Sequence, residues 1–151
     1  YYTNWTSKRN TWVRSQNGDF ARTIFNDFFQ RRDEKKLEDI FVGDLRGGHE
    51  PKVEEIIGKG GAYIHDTFEG EANISIGKSL DYIGQGAHGI INAMPFTCMP
   101  GTIVNALLKR LRENNANIPY LTMVFEWAED TNSTTRLEAF LHQAREFMDR
   151  K

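Results

Sequence analysis

Apolar residues recur three and four positions apart over several stretches of the chain and run together in two short ones. This predicts helices separated by strands. Phe20, Ile24, Phe25, Phe28, Phe29, Leu37, Ile40 and Phe41 indicate a helix from about Asp19 to Phe41. Its polar positions Arg31, Arg32, Asp33, Glu34, Lys35 and Lys36 carry both signs, as a solvated face does. Glu50–Pro51 opens a short helix that points Val53, Ile56 and Ile57 inward, with Pro51 in its first turn. Ala62–Ile64 reads as a short extended piece. Glu71 to Gln85 reads as an amphipathic helix with Ile74, Ile76, Leu80 and Ile83 on its apolar side, stopped by Gly84 and Gly86.

The two short apolar runs are Gly89–Met94, ended by Pro95, and Pro119–Phe125. Both have the length and continuity of buried strands. Between them Ile103, Val104, Leu107, Leu108 and Leu111 mark a helix opened by Pro100 and Gly101. A last helix, about Ser133 to Arg150, has Leu137, Phe140, Leu141, Ala144 and Phe147 on one side, and Ser133 or Thr134 is the expected cap. Helix, strand, helix, strand, helix is the order of a parallel sheet with crossover helices. The expected fold class is therefore α/β, in one domain spanning residues 1–151.

Two strands are few for a free-standing doubly wound sheet. Tyr1–Trp12 is aromatic without a clear period, and the first residue is Tyr. The expectation is a piece of a larger α/β protein, with residues 1–18 the tail of an upstream element.

Composition narrows the function classes. With 19 Lys and Arg against 21 Asp and Glu, the formal net charge is −2, which supplies no basic field for nucleic acid or acidic lipid. No apolar run approaches the roughly 20 residues of a membrane-spanning helix, and no secretory signal is visible. One cysteine rules out an internal disulfide framework, which points to a reducing, cytoplasmic setting.

That cysteine, Cys98, is the main chemical candidate. It falls just past a predicted strand and just before a predicted helix, where ligands of open α/β sheets bind. Free N–H groups at a helix start favour an anion, and a thiolate there is a nucleophile or a metal ligand. Pro100 suits the first turn, and Gly101 lets a group approach the backbone beside Thr102. A free cysteine is also a common core residue, and placement alone leaves both readings open.

Other candidates rank lower. Ala72–Ser79 matches a permissive phosphate-loop pattern, but no buried strand precedes it, and its spacing is helical throughout. His49, His65, His88 and His142 are dispersed and make no zinc pattern with one cysteine. Arg136, near the start of the last helix, could hold an anionic group or orient the Cys98 loop. Glu126, Glu129 and Asp130 follow the second strand and could be acid–base groups or a solvated turn.

Several segments taken together resemble a known family. They are Gly70-Glu71-Ala72, Ser75-Ile76-Gly77-Lys78, Gly89-Ile90-Ile91-Asn92, Met94-Pro95-Phe96-Thr97-Cys98-Met99-Pro100-Gly101-Thr102, and Thr135-Arg136-Leu137-Glu138-Ala139-Phe140. In this order they resemble the dehydratase-like module of the 2-hydroxyacyl-CoA dehydratase and benzoyl-CoA reductase superfamily. The nearest likeness is to activators of 2-hydroxyglutaryl-CoA dehydratase, or CoA-substrate-specific enzyme activases. It spans roughly residues 50–145.

The resemblance implies a three-layer α/β/α arrangement, half of a flavodoxin-like fold. It implies ATP-driven one-electron transfer for acyl-CoA dehydration or reduction in anaerobic metabolism. It places Cys98 at one ligand position of an iron–sulfur cluster, [4Fe–4S], with Pro100, Gly101 and Thr102 beside it. A cluster of this kind takes four ligands, mostly thiolates, so the others are expected outside this chain, which alone is expected to be inactive. Implied partners are upstream ATPase and dehydratase-like domains or a partner subunit, with acyl-CoA as substrate. The alternatives are a non-catalytic domain docking such a partner and a thiol-dependent enzyme using Cys98. Trp127 departs from the small residue expected after the second strand.

Overall fold

A computed structural model of the chain describes residues 19–41, 51–68, 70–126 and 132–150. The chain divides into two compact units, Tyr1–Val53 and Glu54–Lys151. In the first, helix α1 runs over Asp19–Phe41, the span its apolar spacing predicts. Its charged stretch Arg32–Lys36 is exposed, as expected of a solvated face, and so are Phe25, Phe28, Leu37 and Ile40.

The second unit follows the expected order: α2 (Val53–Gly60), α3 (Ala72–Gly84), β1 (Ile90–Pro95), α4 (Met99–Asn114), β2 (Tyr120–Phe125) and α5 (Ser133–Asp149). The strands pair in parallel, with Ile90 beside Tyr120 and Pro95 beside Phe125. The fold is mixed α/β. Three local expectations change. Pro51 stands two residues ahead of α2 rather than in its first turn, a place where its missing N–H costs nothing. Residues 62–64 are a turn, not a strand: the N–H groups of Tyr63 and Ile64 both donate to Gly60 O. Neither Ser133 nor Thr134 caps α5; Asn132 holds that position and makes no side-chain cap bond.

The core lies between α3, α4 and the strands. Ile76, Leu108, Leu111 and Ile118 are fully buried, joined by Val104, Ile90 and Phe147. Each such side chain withdrawn from water contributes about 1.5–3 kcal/mol. Close backbone approach seats the helices. A Cβ on Gly77 of α3 would lie 2.0 Å from Ile56 O of α2, and one on Gly101 of α4 would lie 2.5 Å from Met94 Sδ of β1. Gly86, at φ +93°, terminates α3 in the left-handed conformation glycine permits. The bond from Ala87 N–H back to Tyr82 O (2.9 Å) closes that cap.

Neither strand is buried on both faces, contrary to the expectation from their apolar runs. Only Ile90 of β1 is fully buried, and β2 is half-buried along its length apart from exposed Phe125. Helix α4 covers one face: Asn92 Nδ2 donates to Gly101 O (3.2 Å), and Thr122 Oγ1 donates to Asn105 Oδ1 (2.6 Å). On the other face Ile91 and Phe125 stay 45% and 56% exposed. Burial, not composition, separates a fully buried central strand from one left partly open to solvent.

Candidate functional site

The site is built by the turn from β1 into α4. Phe96 N–H donates to Phe125 O (2.9 Å), continuing the strand pairing, and Cys98 N–H reaches back to Pro95 O (3.2 Å). Thr97 between them holds φ +64°, left-handed for a β-branched residue. Such a conformation persists only where its surroundings enforce it. The reversal brings Cys98 to the N-cap of α4 with extended backbone angles, φ −68° and ψ 108°. Its Sγ accepts the Gly101 N–H at 3.4 Å, while its carbonyl accepts both Thr102 N–H (3.0 Å) and Thr102 Oγ1–H (2.9 Å). A cysteine thus does the work more usual for Ser, Asp or Asn at a helix start. Pro100 fits because the first helical N–H groups have no intrahelical acceptor.

Cys98 is half-buried, neither lost in the core nor fully exposed. It stands at the carboxyl ends of the parallel strands, where the sequence placed it. Phe96 and Met99, on either side of it in the chain, are 61% and 64% exposed, and Phe125 across the strand pairing is also open to solvent. Gly101 is buried against Met94, so its lack of a side chain serves helix-on-strand packing; sequence reasoning had reserved it for a ligand's approach.

Arg136 is brought to the sheet, but to its flank. Its Nη2 donates to Thr122 O. Because Ile90 N–H and Phe96 N–H both donate toward β2, alternation turns the Thr122 carbonyl away from β1, to the outer edge of β2. Arg136 therefore covers an edge carbonyl, a bond that ties α5 to the strand. Glu126 follows β2 and is exposed. His49, Glu129, Asp130 and Trp127 lie outside the described residues. His65 is exposed and its Nδ1 accepts Thr67 N–H at 3.2 Å, a turn-capping role. His142 is paired with Glu146 along α5 at 3.7 Å. The phosphate-loop-like pattern lies inside α3, with Gly77 buried against α2 and Lys78 directed to Asp81 and over the Tyr82 ring.

Sequence reading missed three polar ties. Asn92, inside an apolar run, anchors α4. Asn73, 1% exposed, donates through Nδ2 to the carbonyls of Phe68 (2.9 Å), His65 (3.3 Å) and Asp66 (3.5 Å), pinning the turn before α3. Asp81, also buried, takes a 2.6 Å ion pair from Lys59 of α2 and a 2.9 Å bond from Gln85. The Lys59 ammonium is held above its ordinary pKa chiefly by its hydrogen bond to Asp81 and then by that to Glu55. A polar residue interrupting an apolar stripe was the available signal for Asn73 and Asn92.

Cys98 is a single soft donor, half-exposed, with its Sγ on a backbone N–H. Among the described residues no group of three His, Cys, Asp or Glu side chains is placed to hold a metal. No helix among the described residues is long and apolar enough to cross a membrane. Comparison with known protein families, curated proteins and solved structures finds no match.

Proposed function

We propose that the chain is a sulfur-presenting α/β module of the 2-hydroxyacyl-CoA dehydratase activator type, with Cys98 supplying one ligand to an iron–sulfur centre completed by other segments or another subunit. The observation that carries this reading is the Cys98 N-cap. Half-buried Cys98 sits at the carboxyl ends of two parallel strands, its Sγ accepting the Gly101 N–H at 3.4 Å. A cluster held there supplies one-electron transfer, in this reading for acyl-CoA dehydration or reduction in the cytoplasm. The chain's own part is to fix the sulfur: Thr97 reverses the backbone, Thr102 clamps the Cys98 carbonyl, and Asn92 ties the first turn of α4 to the sheet. Arg136 orients α5 on the same sheet, and Glu126 borders its carboxyl edge.

The finer architecture belongs to the same proposal. The outward backbone edges at Ile91 and Ala93 of β1 and at Tyr120 and Val124 of β2 suit a half of a three-layer flavodoxin-like sheet that further strands extend.

The test uses the intact protein that carries this chain, purified without oxygen. It should be brown and contain iron. Cys98→Ala should remove colour and iron while the far-UV circular dichroism stays unchanged. Iron content untouched by Cys98→Ala defeats the proposal.

A second reading has its own observation. Phe96, Met99 and Phe125 are large, apolar and each more than half exposed around the Cys98 turn, the pattern of a docking surface. On this reading the module holds an ATPase domain or partner subunit without chemistry. The intact protein would then be colourless, keep its partner after Cys98→Ala, and lose it after Phe96→Glu.

A further inference from the structure

The opposite end of the sheet, where both strands begin, carries a cavity of about 390 Å³. Its wall is apolar, formed by Ile83 at the end of α3, Ala87 and Ile118 just before β1 and β2, and Phe147 of α5. Two polar groups complete it, Asn115 at the C-cap of α4 and Arg150 at the C-cap of α5. Both are held in place. Asn115 Nδ2 donates to Leu111 O at 2.7 Å, and Arg150 Nε donates to Glu146 O at 3.2 Å, with the guanidinium carbon 6.0 Å from the centre of the Phe147 ring. Spending Nε on a carbonyl leaves the terminal Nη groups as the planar fork that suits a carboxylate.

The backbone around the cavity is also set against local preference. Ala116 and Asn117 stand consecutively at φ +53° and +58°, so an alanine on the cavity wall is left-handed. That turn is enforced by Asn117 N–H donating to Arg112 O (3.0 Å) and Ile118 N–H donating to Asn115 O (3.0 Å).

We infer that this cavity is a binding site for a small amphipathic carboxylate, with its alkyl or aryl body against Ile83, Ile118 and Phe147 and its carboxylate on Arg150. The volume lies at the lower end of the range for small-molecule pockets, and a mostly apolar wall with a few fixed polar groups is their usual composition. Charge decides the sign of the head group. The ends of α3, α4 and α5 gather here, and helix carboxyl ends each present a fractional negative charge. The carbonyls of Tyr82, Ile83 and Arg112 are already bonded to backbone N–H groups, which weakens that field. A full guanidinium charge at contact outweighs it, so an anion is favoured over an amine. The site lies across the sheet from Cys98 and is independent of the function proposed for it.

The test is a titration of the whole chain, followed by amide and Arg side-chain NMR shifts, with octanoate, octanol and octylamine as probes. Octanoate should bind at least fivefold more tightly than octanol or octylamine, shifting Ala87, Asn115, Ala116, Ile118 and the Arg150 Nε–H. Arg150→Gln, an exposed substitution that the fold tolerates, should weaken octanoate about tenfold and leave octanol unchanged. The inference is overturned if octanol or octylamine binds as well as octanoate, if the shifts map elsewhere, or if Arg150→Gln weakens octanoate less than threefold.

Discussion

Replacing Gly77 by alanine tests the packing that seats the Cys98 unit. Gly77 lies inside α3, buried against α2. An added Cβ would meet Ile56 O at 2.0 Å, Ile56 C at 2.7 Å and Ile56 Cγ2 at 2.8 Å. Two of these atoms are backbone, so no rotamer change relieves the contact. An ordinary carbon–oxygen contact is about 3.3 Å, and the helices must separate by more than an ångström to restore it. Alanine gains about 1 kcal/mol of helix propensity over glycine, whereas overpacking a fixed interface costs about 1–3 kcal/mol or more. Contacts of 2.0 and 2.7 Å to fixed backbone atoms put this cost at the top of that range, about 2–3 kcal/mol, so the clash wins with a net loss of about 1–2 kcal/mol. For a unit of this size each kcal/mol moves the midpoint by about 4–8 °C, so Gly77→Ala should melt about 5–15 °C lower by far-UV circular dichroism. Gly58 of α2 is the control, exposed with nothing within 4 Å of its added Cβ. Gly58→Ala should gain about 0.4–1 kcal/mol. A Gly77→Ala protein that melts at or above the parent temperature refutes the close α2–α3 approach and the core built on it.

Substitutions at two further positions, Asp81 and Asn73, probe the ties around that contact. The Lys59 pKa is raised in the folded state, first by Asp81 and then by Glu55. Its contribution is therefore fully present below the ordinary lysine value of 10.5 and is lost as pH rises through the higher folded value. Urea midpoints should hold up to about pH 10.5 and fall from there toward about pH 12, and Asp81→Asn should flatten that alkaline slope while lowering the midpoint at neutral pH. Asn73→Ala removes the donor shared by three carbonyls and should cost about 1–3 kcal/mol, read by urea denaturation and by faster proteolysis at residues 65–68. Asn73→Asp, which turns an acceptor toward those carbonyls, should cost more.

Periodicity was sufficient for much of the architecture. The bounds of α3 and α5 and the position of both strands follow from apolar spacing because helix and strand impose their own repeats on any buried face. Cys98 at a helix start was legible for a similar reason: Pro100 and the end of an apolar run fix where the helix begins. The Ala62–Ile64 turn was not legible, since three residues carry no period and their conformation is set by Gly60 O accepting two N–H groups.

What the sequence by itself determined is the order of elements and the chain position of the sulfur, both products of interactions within a few residues. Tertiary structure alone decided that Gly101 packs on Met94, that Arg136 covers the Thr122 carbonyl, that the strands stay partly open to solvent, and that residues 83, 118, 147 and 150 meet around one cavity. The physical reason is range. Spacing along a chain reports how a segment faces its neighbours in sequence, whereas closeness between segments depends on volumes and hydrogen-bond partners contributed by residues far apart in it.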